Sequence, residues 1–246
     1  MSEISIAAEK IFSIGGWPFT NSVILGIFVV VLLLSVAFLL RKQLAVIPGK
    51  LQSIFEFFIE SFLKLMESVF GNRLLAEKYL PLIATIFLFV MLSNWSGLLP
   101  GVGPIGLKHE VEGHQTLIPL FRAPSADLNF TIALALVSVL AVNIFSIKEI
   151  GIKSYLRKFF NFKKPIMLFV GLLEFISEFV KIISFSFRLF GNIFAGEVLL
   201  MIVAFLMPFV VPLPFLFLEV FVGFIQALIF SMLTMVFLSM AVRDEH

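Results

Sequence analysis

The stretch WPFTNSVILGIFVVVLLLSVAFLL, residues 17–40, runs without a single charged side chain. An apolar run of about 18 residues or more indicates a transmembrane helix, because about 20 residues at 1.5 Å each cross the hydrocarbon of a bilayer. The whole chain agrees: it is 60% hydrophobic and only 14% charged, whereas an ordinary soluble domain carries about 25% charged residues. So few charges cannot cover a water-facing surface. The sequence therefore predicts an all-α, polytopic membrane protein.

Five hydrophobic segments follow one another along the chain, and we find no internal repeat. They lie at residues 18–40, 80–99, 128–147, 166–207 and 212–242. We expect a single integral membrane domain over residues 1–246. Its parts are an N-terminal span with an interfacial helix (1–79), two middle spans (80–147) and a long helical hairpin (165–242).

Loop charges predict the orientation of these spans. Six basic residues lie in 41–78 and six in 148–164, whereas 100–127 has two basic and three acidic residues. Because cytoplasmic loops are rich in Lys and Arg, we expect the first two stretches in the cytoplasm, the N-terminus outside and the C-terminus inside. Residues 1–16 lack the pattern of a cleaved signal. We expect a bacterial plasma (inner) membrane rather than an organelle.

Composition and motifs exclude several kinds of site. The chain has no cysteine, which rules out disulfides, thiolate metal sites and lipidated cysteines. The HExxH pattern of a zinc protease is missing, and the three histidines fall in predicted loops or at the terminus. We therefore expect no metal, no cofactor and no nucleic-acid partner.

Residues 50–70, KLQSIFEFFIESFLKLMESVF, combine one polar and one apolar face at helical period. This pattern is typical of a helix in the cytoplasmic interface of the membrane, and a helix packed on other subunits explains it equally well. The segment 166–207 is about twice as long as a perpendicular span requires. It must be strongly tilted, broken, or partly lie along the membrane. Prolines at 208, 212 and 214 predict the turn into the last segment.

Polar side chains share one face of this long segment when they are placed at 100° per residue. They are Glu174, Glu178, Lys181, Arg188 and Asn192, with Ser184 at the edge. For Glu174 and Glu178, a solvated charge near the helix end is an equally good explanation. Arg188 is different, because a guanidinium deep in a span costs at least ~2.5–3.5 kcal/mol and stays charged. It would attract a carboxylate from another chain and repel a passing cation.

The last segment carries a sparser stripe of Glu219, Gly223, Gln226 and Phe230. If the two segments are antiparallel, Gln226 lies near Arg188, and Glu219 lies near Glu197. Buried carboxyl groups in a span, such as those of Glu197 and Glu219, can relay protons. Gln226 by itself is equally well explained as a hydrogen-bonding contact between helices. The residues therefore predict a proton path with a fixed positive barrier. The alternative is a stand-alone secondary ion transporter, against which no inverted repeat is evident.

Several stretches resemble subunit a of the F-type rotary ATP synthase. They are RLFGNIFAGE (188–197), FVGFIQALIFSMLTMVFLSMA (221–241), SNWSGLLPG (93–101) and PSADLN (124–129). The resemblance implies two offset half-channels that pass protons to and from carboxylates of a rotating c-ring. Its partners would be the c-ring, the subunit b stator stalk and the other ATP synthase subunits, which carry the ATP chemistry. The coupling ion would be H⁺ or Na⁺.

The resemblance also implies roles for individual residues. Arg188 matches the essential arginine that faces the ring carboxylates and separates the half-channels, Asn192 follows it in the motif, and Gln226 packs near it. Glu197 and Glu219 match the outer half-channel, where some members have a histidine at one position, so the order of relay between them stays open. Glu174 matches an acidic position towards the cytoplasmic half-channel, and Asp127 lies in a motif near the external entry. Asn94 stands where some members carry an acid, and we do not assign it to the relay.

Overall fold

The computed structural model describes residues 8–15, 17–42, 45, 48–99, 102, 106–111, 114–159, 165–208 and 210–243. The first residues and the C-terminal residues 244–246, which the sequence analysis assigned to opposite sides of the membrane, lie outside this described part. In chain order the elements are β1 Lys10–Ile14, β2 Trp17–Thr20, α1 Asn21–Lys42, α2 Lys50–Phe70, α3 Arg73–Ser96, β3 Gly106–Val111, β4 His114–Pro119, α4 Leu128–Ile150, α5 Ile152–Phe159, α6 Pro165–Leu206 and α7 Pro212–Arg243.

Five of these helices are long and apolar enough to cross a membrane, namely α1, α3, α4, α6 and α7. They coincide with the five predicted segments, which confirms an all-α polytopic membrane protein. Two short antiparallel hairpins, β1–β2 and β3–β4, were not predicted. Each consists of two strands only. The β3–β4 hairpin lies in a predicted outer connection, whereas β2 occupies the start of the predicted first span, so that α1 begins only at Asn21.

The amphipathic stretch 50–70 forms the predicted helix, α2, which ends at Gly71 in the left-handed conformation with φ of 66°. The apolar side chains of its second half, Phe62, Leu63, Met66 and Phe70, are buried in the core of this chain. The hydroxyl of Ser239 on α7 donates to the carbonyl of Val69 at 3.2 Å. Half of the apolar face therefore packs within the chain itself, which neither sequence interpretation anticipated. Ile54 and Phe57, in the first half, remain exposed.

Helix α3 packs against α7, α2 and α1. Its buried side chains Tyr79, Ile83, Phe87 and Val90 recur every three or four residues, the spacing of one helix face. In its last turn, Asn94 Nδ2 donates to the carbonyl of Gly223 at 2.8 Å, and Trp95 Nε1 donates to the carbonyl of Val220 at 3.0 Å. These two bonds fix α7 against α3, and the small Gly223 permits the close approach.

Helix α6 is continuous over 42 residues, from Pro165 to Leu206, so the broken arrangement considered from sequence is wrong. At 1.5 Å per residue it is roughly 63 Å long, about twice the hydrocarbon thickness. It packs against α4 and α7. A short connection that contains Pro208 joins it to α7, and the other two predicted prolines, Pro212 and Pro214, lie in the first turn of α7. The two helices form the expected antiparallel hairpin. Asn192 contacts Gln226, whereas Gly196, which comes later on α6, contacts Glu219, which comes earlier on α7.

Candidate functional site

Arg188 lies on the exposed face of α6, while its neighbours Phe185 and Leu189 point into the bundle. Phe185 anchors this orientation, because its ring packs 4.9 Å from that of Phe230 on α7. The guanidinium donates through Nη2 to the hydroxyl of Ser184 at 3.3 Å. Within the described part of the chain no carboxylate forms an ion pair with Arg188. The structure thus presents a permanent charge outwards from an apolar helix.

Asn192, one turn further along α6, joins this helix to α7. Its Nδ2 donates to Oε1 of Gln226 at 2.7 Å. The side chain of Gln226 is 2% exposed, and its Nε2 has no hydrogen-bond partner among the described residues. The sequence analysis expected Gln226 beside Arg188, but the direct contact of Gln226 is with Asn192. The hydrogen bond supports the interhelical-contact interpretation of Gln226.

Glu219 on α7 is buried against α6 at Gly196, the residue that precedes Glu197. A Cβ atom at position 196 would overlap the carboxyl group of Glu219. Gly196 therefore provides the space in which this carboxyl group sits. Glu219 therefore lies close to Glu197, as expected from the sequence, because it contacts the residue that precedes Glu197. No hydrogen bond joins the two carboxyl groups.

Glu197 is paired with Arg122, which comes from the connection between β4 and α4. The Nε atom of Arg122 lies 3.8 Å from Oε2 of Glu197, and the arginine side chain is only 8% exposed. Its guanidinium also lies over the ring of Phe194, 5.8 Å from the centroid. The sequence analysis missed Arg122 as a site residue and counted it as a loop charge. Two features of the sequence could have indicated its importance. Arg122 lies two residues before the first residue of the PSADLN motif, and the stretch 100–127 has only two basic residues.

Asp127 begins α4 and ties it to α1. Its Oδ1 accepts from the backbone N–H of Asn129 at 2.9 Å, the bond of a helix N-cap. Its Oδ2 accepts from the hydroxyl of Ser22 at 2.5 Å. These contacts give the side chain a structural role at the outer end of the bundle. The contacts that we observe do not bring it to Glu197 or Glu219.

The first half of α6 carries an ion pair, whereas Arg188, further along the helix, has no carboxylate partner among the described residues. Lys181 Nζ lies 2.6 Å from Oε1 of Glu178 and 4.7 Å from the centre of the Phe237 ring. Both side chains line a small, partly open cleft shared by α4, α6 and α7. Glu174 is half-buried one turn before Glu178. The predicted stripe is therefore divided into a paired inner part and an exposed outer part around Arg188.

This arrangement offers carboxyl groups at two levels, with an arginine between them on the helix surface. Glu197 and Glu219 lie towards the connection between α6 and α7, and Glu174 and Glu178 lie towards the start of α6. Carboxyls in such positions can accept and release protons. Among the described residues no group of three acidic, histidine or cysteine side chains is arranged to bind a metal ion.

Comparisons with known proteins agree with one another. The sequence pattern of the family described as ATP synthase A chain matches residues 22–239. A protein of Moorella thermoacetica, named ATP synthase subunit a, is 34% identical over 94% of this chain and 94% of its own length. Proteins with the same name from Campylobacter fetus subsp. fetus (36% identical, 89% of this chain, 90% of its own length) and Geotalea daltonii (34%, 89% and 86%) are similarly close.

Proposed function

Because this chain belongs to the ATP synthase A chain family, we propose that it is the membrane stator subunit that passes protons to and from the rotating c-ring. Protons enter an outer half-channel, bind a ring carboxylate, travel with the ring, and leave through an inner half-channel. The chain has no catalytic role of its own, since ATP synthesis takes place on partner subunits. It works in a bacterial plasma membrane with its N-terminus outside and its C-terminus in the cytoplasm.

The observation that carries this proposal is the outward, unneutralised guanidinium of Arg188. A charge at this depth is costly unless an opposite charge compensates it. A carboxylate on a passing ring helix supplies that compensation transiently, and the guanidinium favours the ionised form of that carboxylate. The proton therefore leaves as each ring carboxylate reaches Arg188, and the same charge prevents direct leakage between the half-channels.

The residues on either side of Arg188 support a separation into an outer and an inner half-channel. Glu219, seated at Gly196, and Glu197 with its partner Arg122 form the outer half-channel. Glu174 and the cleft beside Glu178 lie on the inner route. Asn192 and Gln226 keep α6 and α7 in register next to Arg188. In this scheme Asp127 shapes the outer entry through its contacts with α1 and α4 and does not carry protons.

The partners follow from the exposed surfaces. The apolar, exposed face of α6 that carries Arg188 and Gly191 is where the c-ring packs. Exposed apolar side chains on α1 and the first half of α2, such as Leu34, Phe38, Ile54 and Phe57, face lipid or the subunit b stalk. Co-purification of this chain with a ring of small hairpin proteins separates the proposal from a stand-alone transporter, which would purify alone.

The decisive experiment is Arg188→Ala in the assembled complex, measured as ATP-driven proton pumping into inverted membrane vesicles. We expect pumping to be abolished, because the ring carboxylate no longer meets a charge that expels its proton. Arg188→Lys keeps the charge but loses the planar guanidinium, so it should retain little of the activity. Arg41→Ala, at the exposed inner end of α1, is the matched control and should pump normally. Normal pumping by Arg188→Ala in an intact complex would disprove the proposal.

A further inference from the structure

Helix α5, Ile152–Phe159, lies between α4 and α6 in the chain and packs against both. Gly151 separates α4 from α5 with a φ of 80°, in the left-handed region that favours glycine. The side chain of Phe159 is buried, and its ring meets that of Phe175 on α6 edge to face, with 6.2 Å between the ring centroids. These contacts hold one face of α5 against the bundle and decide which of its side chains point outwards.

The outward side of α5 carries apolar and basic residues in separate strips. Ile152 and Leu156, one turn apart, are 61% and 48% exposed, and Lys153 and Arg157, also one turn apart, are exposed. At 100° per residue, the apolar strip borders the packed face and the basic strip lies beyond it. The helix contains no acidic residue, and neither Lys153 nor Arg157 forms an ion pair with any described residue. The basic strip therefore carries two charges that the described chain does not neutralise.

The surface of α6 beside α5 is apolar as well. The rings of Phe175 and Phe179 are in contact, 5.1 Å apart, and both side chains are exposed. At 100° per residue they lie roughly opposite Arg188 around the helix, so this surface is separate from the face proposed for the c-ring. On a membrane-spanning helix such a surface lies against lipid. A neighbouring helix with one apolar and one basic strip has the pattern of a helix in the membrane interface.

The charges indicate which kind of molecule fits this corner between α5 and α6. An anionic phospholipid places acyl chains against the apolar strip and a negatively charged phosphate next to the basic strip. A soluble anion would leave Ile152 and Leu156 exposed to water, which is unfavourable for apolar surface. An apolar helix of another subunit would leave Lys153 and Arg157 without a counter-charge. Lipid with a negative headgroup satisfies both strips at once.

We propose that α5 is a binding site for anionic phospholipid at the membrane interface. Ile152 and Leu156 lie among the acyl chains, and Lys153 and Arg157 bind the phosphate groups. The bound lipid anchors the connection between α4 and α6 and thereby holds the start of α6, the helix that carries Arg188 further along. The site depends on the place of this chain in a membrane and is independent of the proposed proton path.

The first experiment uses Leu156→p-benzoylphenylalanine, a photoreactive substitution at an exposed position, in the assembled complex. The complex is reconstituted into vesicles of equal parts phosphatidylglycerol and phosphatidylcholine and irradiated, and mass spectrometry identifies the adducts. We expect phospholipid adducts in which phosphatidylglycerol exceeds phosphatidylcholine. The same substitution at Leu140, exposed on α4 with no basic residue within two turns along the chain, is the matched control. It should give adducts with both lipids in similar amounts.

A second experiment tests the basic strip, with the photoreactive residue kept at Leu156. We expect Lys153→Gln with Arg157→Gln to lower the ratio of phosphatidylglycerol to phosphatidylcholine adducts by roughly fivefold or more, since each Lys or Arg near an anionic surface contributes about that factor. The exchange Lys153→Arg with Arg157→Lys keeps both charges and should keep the ratio. Arg41→Gln with Lys42→Gln removes two charges from the end of α1 and should also leave the ratio unchanged.

Four results would overturn the lipid site. They are adducts of position 156 with another subunit in place of lipid, equal lipid ratios at positions 156 and 140, an unchanged ratio after Lys153→Gln with Arg157→Gln, and lipid adducts at position 140 without any at 156. Arg188→Ala separates this inference from the proposed function. It should lose ATP-driven pumping and keep the lipid ratio at Leu156. If Arg188→Ala pumps normally, the proposed function fails, and the lipid ratio still decides the role of α5.

Discussion

The two basic residues of α6, Lys181 and Arg188, differ in whether a carboxylate of the same chain pairs with them. Lys181 has Glu178 one turn away and an aromatic ring above it, so its charge is satisfied within the chain. Among the described residues, Arg188 has only a serine hydroxyl one turn away. Since an unsatisfied charge in a membrane is expensive, the difference supports the proposal that Arg188 meets a partner from outside the chain.

Glu219 and Glu178 should also differ in how strongly their substitution affects proton translocation. We expect Glu219→Gln to slow proton translocation by roughly tenfold or more, because a positioned proton-transfer group contributes at least about that much. Glu178→Gln should have a smaller effect, since Glu178 already forms an ion pair with Lys181. The measurement is ATP-driven acidification of inverted vesicles. Equal and negligible effects of the two substitutions would remove Glu219 from the proton path.

The α6–α7 hairpin depends on one small residue at the level of Glu219. The space at Gly196 admits the carboxyl group of Glu219, and Asn192 bonds to Gln226 on the same side of the hairpin. Close approach of helices in a membrane is favoured by small residues and by interhelical hydrogen bonds. The register of the hairpin therefore decides which polar groups lie next to Arg188.

Cysteine pairs can test this register without interference, because the chain has no cysteine of its own. We expect Gly196→Cys with Glu219→Cys to form a disulfide under mild oxidation. A Cβ atom at 196 would contact the end of the Glu219 side chain, which places the two Cβ atoms near the roughly 3.8 Å of a disulfide. Mass spectrometry of the digested subunit detects the cross-link.

The matched control for this cross-link is Gly191→Cys with Glu219→Cys. A Cβ atom at position 191 meets nothing within 4 Å, so this pair should stay reduced. If both pairs form disulfides equally, or if only the control pair does, the register of α6 against α7 described here is wrong.

At the scale of the whole molecule, polar contacts join the helices at both ends of the bundle. At one end Ser22 binds Asp127 and Asn21 binds Pro119, which joins α1 to the β4–α4 connection. At the other end Glu149 accepts from both Lys78 and Tyr79, joining α4 to α3. Between the ends, α1 exposes mainly apolar side chains. This distribution matches a bundle whose middle lies in hydrocarbon and whose ends lie in the polar zones of the membrane.

Orientation in the membrane can be measured with two conservative substitutions. Ser13 on β1 and Ser154 on α5 are both exposed, and we expect them on opposite sides. An impermeant maleimide should label Ser13→Cys in intact spheroplasts and Ser154→Cys only in inverted vesicles, because basic loops stay in the cytoplasm. The reverse pattern of labelling would invert the proposed topology and exchange the outer and inner half-channels.

The sequence by itself determined the membrane class, the five spans and the amphipathic helix. These features depend on local composition and period, which a chain carries wherever it folds. It also singled out Arg188, because a lone charge among phenylalanines is visible without coordinates.

Only the tertiary structure decided which polar groups meet. Arg122 pairs with Glu197 across 75 residues of sequence, and Glu219 reaches the space at Gly196 on another helix. It also showed that Gln226 bonds to Asn192 and that half of α2 packs on its own chain. Such contacts depend on helix register and on the folding of distant connections, and neither is encoded in the periodicity of a single segment. The isolation of Arg188 was predictable from its neighbours in sequence, whereas the contacts of Glu197, Glu219 and Gln226 were not.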